Sequence, residues 1–332
     1  MTNHGNMYGP DFTFLGIERC DLEKIETYKD ADVVIVGAPI DSGTSHRSGA
    51  KFGPQAIRMG DYLPHDGERP HLALRTDGLK DMKVVDAGDL LMNGGNLEES
   101  LALLAAATEK ISRAGAIAVI LGGDHSIASA DVAGIANHRG KGKISMVHFD
   151  AHADTGTDQW GALVGHGTPM RRLIENGHVR GDRFLQLGLR GYWPDDATLN
   201  WMRDQGMRSY EMTEIHHRGL KAVLDESFAT LTDGCDGVFL SVDIDVVDPG
   251  MAPGTGTPEP GGMTSRELLE AVRRICLELP VVGIDVVEVA PPFDSADITA
   301  ILANRVVLEA LSAIALRKKG GSYSPTRNLL DR

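Results

Sequence analysis

The chain has 332 residues, 42% of them hydrophobic and 24% charged, with a formal net charge of −14 and a pI near 5.3. This is the composition of a globular protein with ample material for a core. The acidic balance and the lack of any long basic cluster argue against nucleic acid and anionic membrane as partners, while leaving room for a cationic substrate or plain solubility.

In chain order, residues 1–9 are polar and lack the basic and apolar regions of a secretion signal. Residues 1–31 read as an N-terminal extension. Cys20, Cys235 and Cys276 have neither metal-site spacing nor a disulfide framework, which points to reduced thiols and a cytoplasmic location. Apolar, β-branched runs at 33–37 and 83–86 predict the first strands. An Ala-, Leu- and Glu-rich helix follows over 97–114 and stops at Gly115. Further strands are predicted at 116–121, 144–149, 184–189 and 237–242. The pattern Thr264-Ser-Arg-Glu267 opens a helix over 265–279, which Pro280 stops. A strand at 280–287 and a helix over 298–318, ended by Gly320-Gly321, complete the set. No apolar run is expected to approach the ~18–20 residues of a membrane span. The strand runs are nearly continuous, as in strands buried on both faces. The alternation therefore predicts a single α/β domain over 32–321, a three-layer α-β-α arrangement with a mostly parallel central sheet, and a flexible tail over 322–332.

The chemistry gathers at three predicted strand ends. Gly122-Gly-Asp-His125 follows the strand at 116–121, and its glycines permit a tight turn that presents His125. Asp150, His152 and Asp154 alternate with alanines after 144–149, and Asp243 and Asp245 do likewise after 237–242. Alternate residues of extended chain share a face. Four carboxylates with imidazoles at buried strand ends are costly unless neutralised, and no basic residues accompany them, which weighs against a structural salt-bridge cluster. A pair of divalent ions meets the need. The donor types suit Mn²⁺, with Ni²⁺ also compatible. Open sheets of this kind bind ligands beyond the carboxyl ends of their strands. The Gly/Pro-rich stretch 248–262, directly after Asp245, reads as a rigid loop at the site rather than a linker.

These motifs resemble those of the ureohydrolases, the arginase and agmatinase superfamily. Gly122-Gly-Asp-His-Ser126, Phe149-Asp-Ala-His-Ala-Asp154 and Ser241-Val-Asp-Ile-Asp-Val-Val-Asp-Pro249 look like its three metal motifs, in order. Residues 43–58, 252–258 and 285–291 extend the likeness to the agmatinase branch and to nearly the whole chain. The resemblance implies an arginase-like fold, with His125, Asp150, Asp154 and Asp243 on one ion and Asp150, His152, Asp243 and Asp245 on the other. Asp150 and Asp243 would bridge, and Asp154 would border the reaction as well as bind. Glu288 matches the glutamate that grips a guanidinium, and His166 the histidine that relays protons. The implied reaction is hydrolysis of a small guanidino compound, such as agmatine or guanidinobutyrate, to urea and an amine, by a homotrimer or homohexamer.

The loop 158–166 lacks the Ser-Gly-Asn-type pattern with which arginases read the amino-acid head of arginine, so arginine is disfavoured. Trp160 and the pair Tyr192-Trp193 depart from common agmatinases. They are expected to line the pocket mouth and favour a compact substrate. Hydrolysis of guanidine or of a biguanide such as metformin is an alternative. So are a formiminoglutamase-like C–N hydrolase and a metal-binding subunit that supports an active paralogue. Other polar residues are given quieter roles: His148 as a hydrogen-bonded core histidine, Asp124 as an orienter of His125, Asp248-Pro249 as a turn, His216-His217 as exposed, and Arg47 as structural.

Overall fold

The structure, a computed structural model, describes residues 12–61 and 70–326. The expectations for residues 1–9 and for most of the C-terminal tail lie outside these residues. Eight strands form one sheet: β1 (Val33–Ala38), β2 (Val84–Asp89), β3 (Ile117–Gly122), β4 (Ile144–Phe149), β5 (Val179–Leu189), β6 (Arg208–Glu211), β7 (Gly237–Asp243) and β8 (Val281–Val287). Their order is β2-β1-β3-β8-β7-β4-β5-β6, and every pairing is parallel. The sheet is thus wholly rather than mostly parallel among the described residues. All seven predicted strands are present. β6 is new, an edge strand with only Tyr210 buried, too short and polar to stand out as an apolar run.

The chain runs outward in both directions and then returns. After β6 closes one edge, β7 and β8 fill the gap between β3 and β4. The carboxyl ends of β3, β8, β7 and β4 therefore lie side by side; the three metal motifs follow β3, β4 and β7, Glu288 follows β8, and the motif at 43–58 follows β1. Helices Leu97–Arg113, Ala128–Arg139 and Pro169–Glu175 cover one face, and Leu220–Thr232, Ser265–Glu278 and Ile298–Lys318 the other. Odd and even residues of the same strand feed separate apolar layers: Val33 and Ile35 one, Val34 and Val36 the other. The predicted helix start at Thr264 is realised as a reciprocal cap, with the Thr264 hydroxyl taking the Glu267 amide and the Glu267 carboxylate taking the Thr264 amide.

The helix Ile298–Lys318 corrects one expectation. It is long and apolar enough to cross a membrane, but 78% of its apolar window is buried inside the fold, where it packs on Ser265–Glu278. Its composition is that of a core helix, apolar on nearly every side because nearly every side is covered.

One buried ion pair braces the sheet away from the strand ends. The Arg58 guanidinium bonds both oxygens of Asp86, at 2.9 Å each, and also contacts Asp89. Asp86 also accepts the Phe14 and Gly88 amides, at 2.7 and 2.8 Å, so this one pair ties the N-terminal segment to the sheet. Arg58→Met leaves a buried carboxylate without its cation and is expected to destabilise the fold by roughly 3–5 kcal/mol. Urea unfolding of the variant checks this, and a change of less than about 1 kcal/mol would show the pair to be dispensable.

Candidate metal centre and active site

The turn after β3 is dictated by close packing. A Cβ on Gly123 would lie 1.8 Å from the Ile40 carbonyl oxygen, so no side chain fits. The turn leads into a short 3-10 segment, His125–Ile127, capped by the Asp124 carboxylate on the Ser126 amide. This points the buried His125 ring across the ends of β7 and β4.

The hydrogen bonds around that ring fix where it carries its proton. Asp285 Oδ1 accepts from the Ser241 hydroxyl (2.8 Å) and the Val242 amide (3.2 Å). Having donated its one proton there, Ser241 Oγ accepts from His125 Nε2 at 2.9 Å. The neutral ring then carries its lone pair on Nδ1. That atom faces carboxylate oxygens of Asp150, Asp154 and Asp243, each 3.1 Å away. Three anionic oxygens and a lone pair converging on one buried point repel one another unless a cation sits among them. Without a metal, a proton takes that place: burial opposes charge on the ring, but the three carboxylates outweigh it and raise the His125 pKa well above its usual value. The donor set thus fits a divalent ion.

A second group adjoins the first. His152 Nδ1 lies 3.1 Å from Asp245 Oδ2 and 3.4 Å from Asp150 Oδ1. Asp150 belongs to both clusters, so the His/Asp cluster fits a binuclear site. Asp243 places Oδ2 on the His125 side, while its Oδ1 accepts the Asp245 amide at 2.8 Å. All six residues expected as metal ligands are brought together. Asp154 and Glu288 have positive φ, 53° and 62°, a conformation that costs a non-glycine residue about 1 kcal/mol or more and collects at functional sites.

Glu288 lies just past β8. Its Oε1 accepts the His125 amide at 2.8 Å and His166 Nδ1 at 2.9 Å. Its Oε2 is buried and has no partner among the described residues. On the far side of the His166 ring, Nε2 accepts the Ser45 amide at 3.0 Å and lies 2.6 Å from the Ser45 hydroxyl. Ser45 can serve both states of the ring: its amide donates to a neutral Nε2, and its hydroxyl can accept from a protonated one. Burial would lower the His166 pKa, but the Glu288 carboxylate outweighs it and raises it to about 9. Ser45 was not read from sequence. A serine in a glycine-rich loop more than a hundred residues from its partner gives no periodic signal.

A cavity of about 410 Å³ opens beside these groups. His152, Asp154 and Asp243 line it with Ser45 and His166, and Trp160, Trp193, Asp158 and Thr257 form part of its wall. Trp160 is 82% and Trp193 41% exposed, whereas Tyr192 is fully exposed and absent from the lining; only one of that pair reaches the mouth. Asp124 departs from its expected role. Its carboxylate takes the Gly43 amide (2.7 Å) and the Ser126 amide (3.0 Å), and so secures the loop that carries Ser45 instead of contacting the His125 ring. Arg47 bonds the carbonyls of Thr255 and Gly256 and stacks on Phe293, a structural task. His216 and His217 are exposed on the helix Met212–Arg218. Asp248 accepts the amides of Gly250, Gly261 and Gly262, which closes the loop after β7.

An eight-stranded parallel sheet with a His/Asp cluster at the ends of its central strands is the architecture of the arginase fold. The profile of the arginase family matches residues 31–313. A guanidinobutyrase from Pseudomonas aeruginosa is 37% identical over 286 residues, 85% of this chain and 86% of that protein. The mitochondrial agmatinase of Gallus gallus is 38% identical over 285 residues, 85% of this chain and 81% of its own. The solved structure of proclavaminate amidino hydrolase from Streptomyces clavuligerus superposes with a TM-score of 0.81 at 34% identity, over 94% of this chain and 100% of that one. The chain belongs to the arginase family.

Proposed function

We propose that this chain is a binuclear-metal amidinohydrolase that hydrolyses a small guanidino compound to urea and an amine. The observation that carries the reading is the position of Asp150, shared by two donor groups that border one cavity with His166 on its wall. His125, Asp150, Asp154 and Asp243 hold one ion, and Asp150, His152, Asp243 and Asp245 the other. The oxygen-rich donor set with two imidazoles favours Mn²⁺, with Ni²⁺ second. When bound, such a pair supplies a water acidified to a pKa near ~7.

The chain's own residues do the rest. Glu288 lies behind the cavity wall rather than on it, and its Oε1 is engaged by the His125 amide and His166, so any grip on the substrate cation falls to the unpartnered Oε2 instead of a two-oxygen fork. His166 Nε2, the nitrogen that faces Ser45, carries the proton needed by the departing amine. Water adds to the guanidino carbon, the C–N bond to the tail breaks, and the proton passes to the leaving nitrogen.

The cavity wall also bears on the tail. Among the described residues no lysine or arginine lines it, and Asp158 does. A carboxylate tail meets no cation there and faces an anion, so a cationic or uncharged tail is favoured over that of 4-guanidinobutyrate. Trp160 and Trp193 narrow the mouth, and Trp160→Ala with Trp193→Ala is expected to raise kcat/KM for longer substrates relative to compact ones by about tenfold, the scale of one such packing contact. An unchanged ratio would remove both tryptophans from the substrate site.

The deciding experiment measures urea after reconstitution with Mn²⁺ and, separately, Ni²⁺. The panel is agmatine, 4-guanidinobutyrate, 3-guanidinopropionate, arginine and guanidine, with metformin followed instead by its dimethylamine and guanylurea products. Urea from one of them establishes the reaction, and the rank order assigns the tail. Absence of product from every compound, with two ions bound per chain, overturns these substrates in favour of a different guanidine, a different C–N bond or a supporting subunit. Light scattering on the same sample tests the trimer or hexamer implied by the family resemblance.

A further inference from the structure

One pleat below the metal-facing residues, a row of polar side chains crosses the sheet in register. Ser209 pairs with Gln186, Gln186 with His148, His148 with Ser241, and Ser241 with Asp285. Gln186, His148, Ser241 and Asp285 are fully buried. Such a row is costly in a sheet core unless it is hydrogen-bonded; Gln186, His148 and Ser241 have every polar side-chain atom paired, and only Asp285 Oδ2 has no partner among the described residues. The Ser241–Asp285 end of the row fixes the proton on His125, as described above. His148 occupies the middle, close enough to His125, Asp150 and Asp154 to count among the groups able to hold a metal.

The hydrogen bonds decide what His148 is. Gln186 Nε2 lies 2.7 Å from the Ala153 carbonyl oxygen. A carbonyl only accepts, so this end of the side chain is the NH₂ group, and Oε1 correspondingly accepts the Ser209 hydroxyl at 2.7 Å. The second N–H of the amide meets His148 Nδ1 at 3.1 Å. Nδ1 must therefore hold a lone pair, and the ring's proton is on Nε2. That nitrogen lies 2.8 Å from Asp150 Oδ2 and donates to it. A His148 that ligated through Nε2 while Nδ1 accepted from Gln186 would be an imidazolate, which nothing here stabilises.

We infer that His148 is not a ligand but a positioning residue: Gln186 locks it as the Nε2-protonated neutral tautomer, and in that form it fixes the carboxylate of Asp150. The inference rests on the two-ion reading above. Asp150 Oδ1 is held from the other side by the His152 amide at 2.6 Å. Each oxygen thus receives one N–H, the carboxylate plane is set, and the remaining lone pairs face the two donor groups. The chain from Ser209 through Gln186 and His148 also gives the edge strand β6 a part in the centre. Partners of this kind behind a metal ligand typically contribute ten- to a hundredfold in metal affinity.

The test is Mn²⁺ affinity and stoichiometry by competition with a fluorescent chelator, on the full chain. His148→Leu is expected to weaken Mn²⁺ binding by about ten- to a hundredfold with two ions still bound at saturation. His148→Gln, whose amide can still donate to Asp150, should recover part of the loss at similar melting temperature, a recovery that simple packing would not give. Gln186→Met, further from the ligands, should fall between and serves if His148→Leu does not fold. ¹⁵N spectra of the metal-free protein labelled at histidine report the tautomer directly, with Nε2–H expected for His148. A stoichiometry that falls to one ion in His148→Leu makes it a ligand and overturns the inference; so does an Nδ1–H tautomer, or unchanged affinity in both His148→Leu and Gln186→Met. If the wild-type chain binds no ion, the two-ion reading fails, and the ¹⁵N spectrum still decides the tautomer.

Discussion

Glu288→Gln is expected to lower kcat/KM for the best guanidino substrate by a hundredfold or more while leaving two ions bound per chain. The carboxylate has two different duties at its two oxygens. Oε1 accepts from the His125 amide and from His166 Nδ1, and Oε2 is buried without a partner. An amide cannot perform both. If its oxygen takes the place of Oε1, the NH₂ group is directed to the substrate side, where it repels a cation. If it is flipped, the NH₂ group opposes the N–H of His125, and His166 can accept it at Nδ1 only by giving up the Nδ1–H that the carboxylate held.

Either orientation forfeits a charge-assisted bond worth about 1.5–3 kcal/mol and leaves a buried donor unpaired at about 1–3 kcal/mol more. Together these correspond to roughly two to four powers of ten in rate. Steady-state urea release, with metal content measured on the same sample, checks the expectation. Activity within a few fold of wild type would remove Glu288 from the substrate site. His166 is affected as well. The Glu288 carboxylate holds its pKa up at about 9 against burial, so the variant should also shift the alkaline limb of the pH profile to lower pH.

The ligands were legible as acids and a histidine alternating with apolar residues directly after apolar strands, but not for the expected reason. Residues 150–154 lie beyond β4, Asp154 has a positive φ and Ile244–Val246 is a 3-10 turn, so the meeting of strand ends and not a shared strand face brings them together. Asp150, His152 and Asp154 alternate with alanines, and the strands before them are apolar runs because both faces are covered by helices. Ser45, Gln186, Ser209 and Asp285 were not legible, because their roles exist only once strands are paired. Gln186 sits within an apolar run as one polar interruption, and only the register of β4 with β5 sets it beside His148. Asp285 is likewise a single acid inside β8 until β7 aligns it with Ser241. Local pattern reports which face a residue takes but not which residue it meets across the sheet. The position of the tryptophans was half legible: the loops that carry them could be placed near the mouth, but that Trp193 lines the cavity and Tyr192 does not depends on the local path of the chain.

Removal of the metal should destabilise the protein, and more so as pH rises. In the metal-free fold the cluster keeps its charge down by holding protons. Burial, then the neighbouring Asp245 and Asp150, push the Asp243 carboxyl well up. Burial and Asp150 raise that of Asp154. Burial opposes charge on the His152 ring, but Asp245 and Asp150 outweigh it and raise its pKa, as the carboxylates do for His125. A group whose folded pKa lies above its unfolded value gives stability that is complete below the unfolded pKa and is lost as pH rises through the folded one. For the two histidines that loss begins near pH ~6.5 and continues upward, and Asp243 and Asp154 act in the same direction from lower pH. Asp150, whose pKa His148 and His125 hold down against burial, has the opposite sign, but its effect is confined to acid conditions. Bound ions displace these protons, so their affinity increases over the same range. At metal concentrations a hundred times Kd, each site adds about 2.7 kcal/mol, so stripping both with a chelator should lower Tm by roughly 10 °C. The gap between metal-loaded and metal-free melting curves should widen from pH 6 to pH 9. A gap that narrows over that range would mean that protons and ions do not compete for this cluster, and the binuclear reading of Asp150 would fail with it.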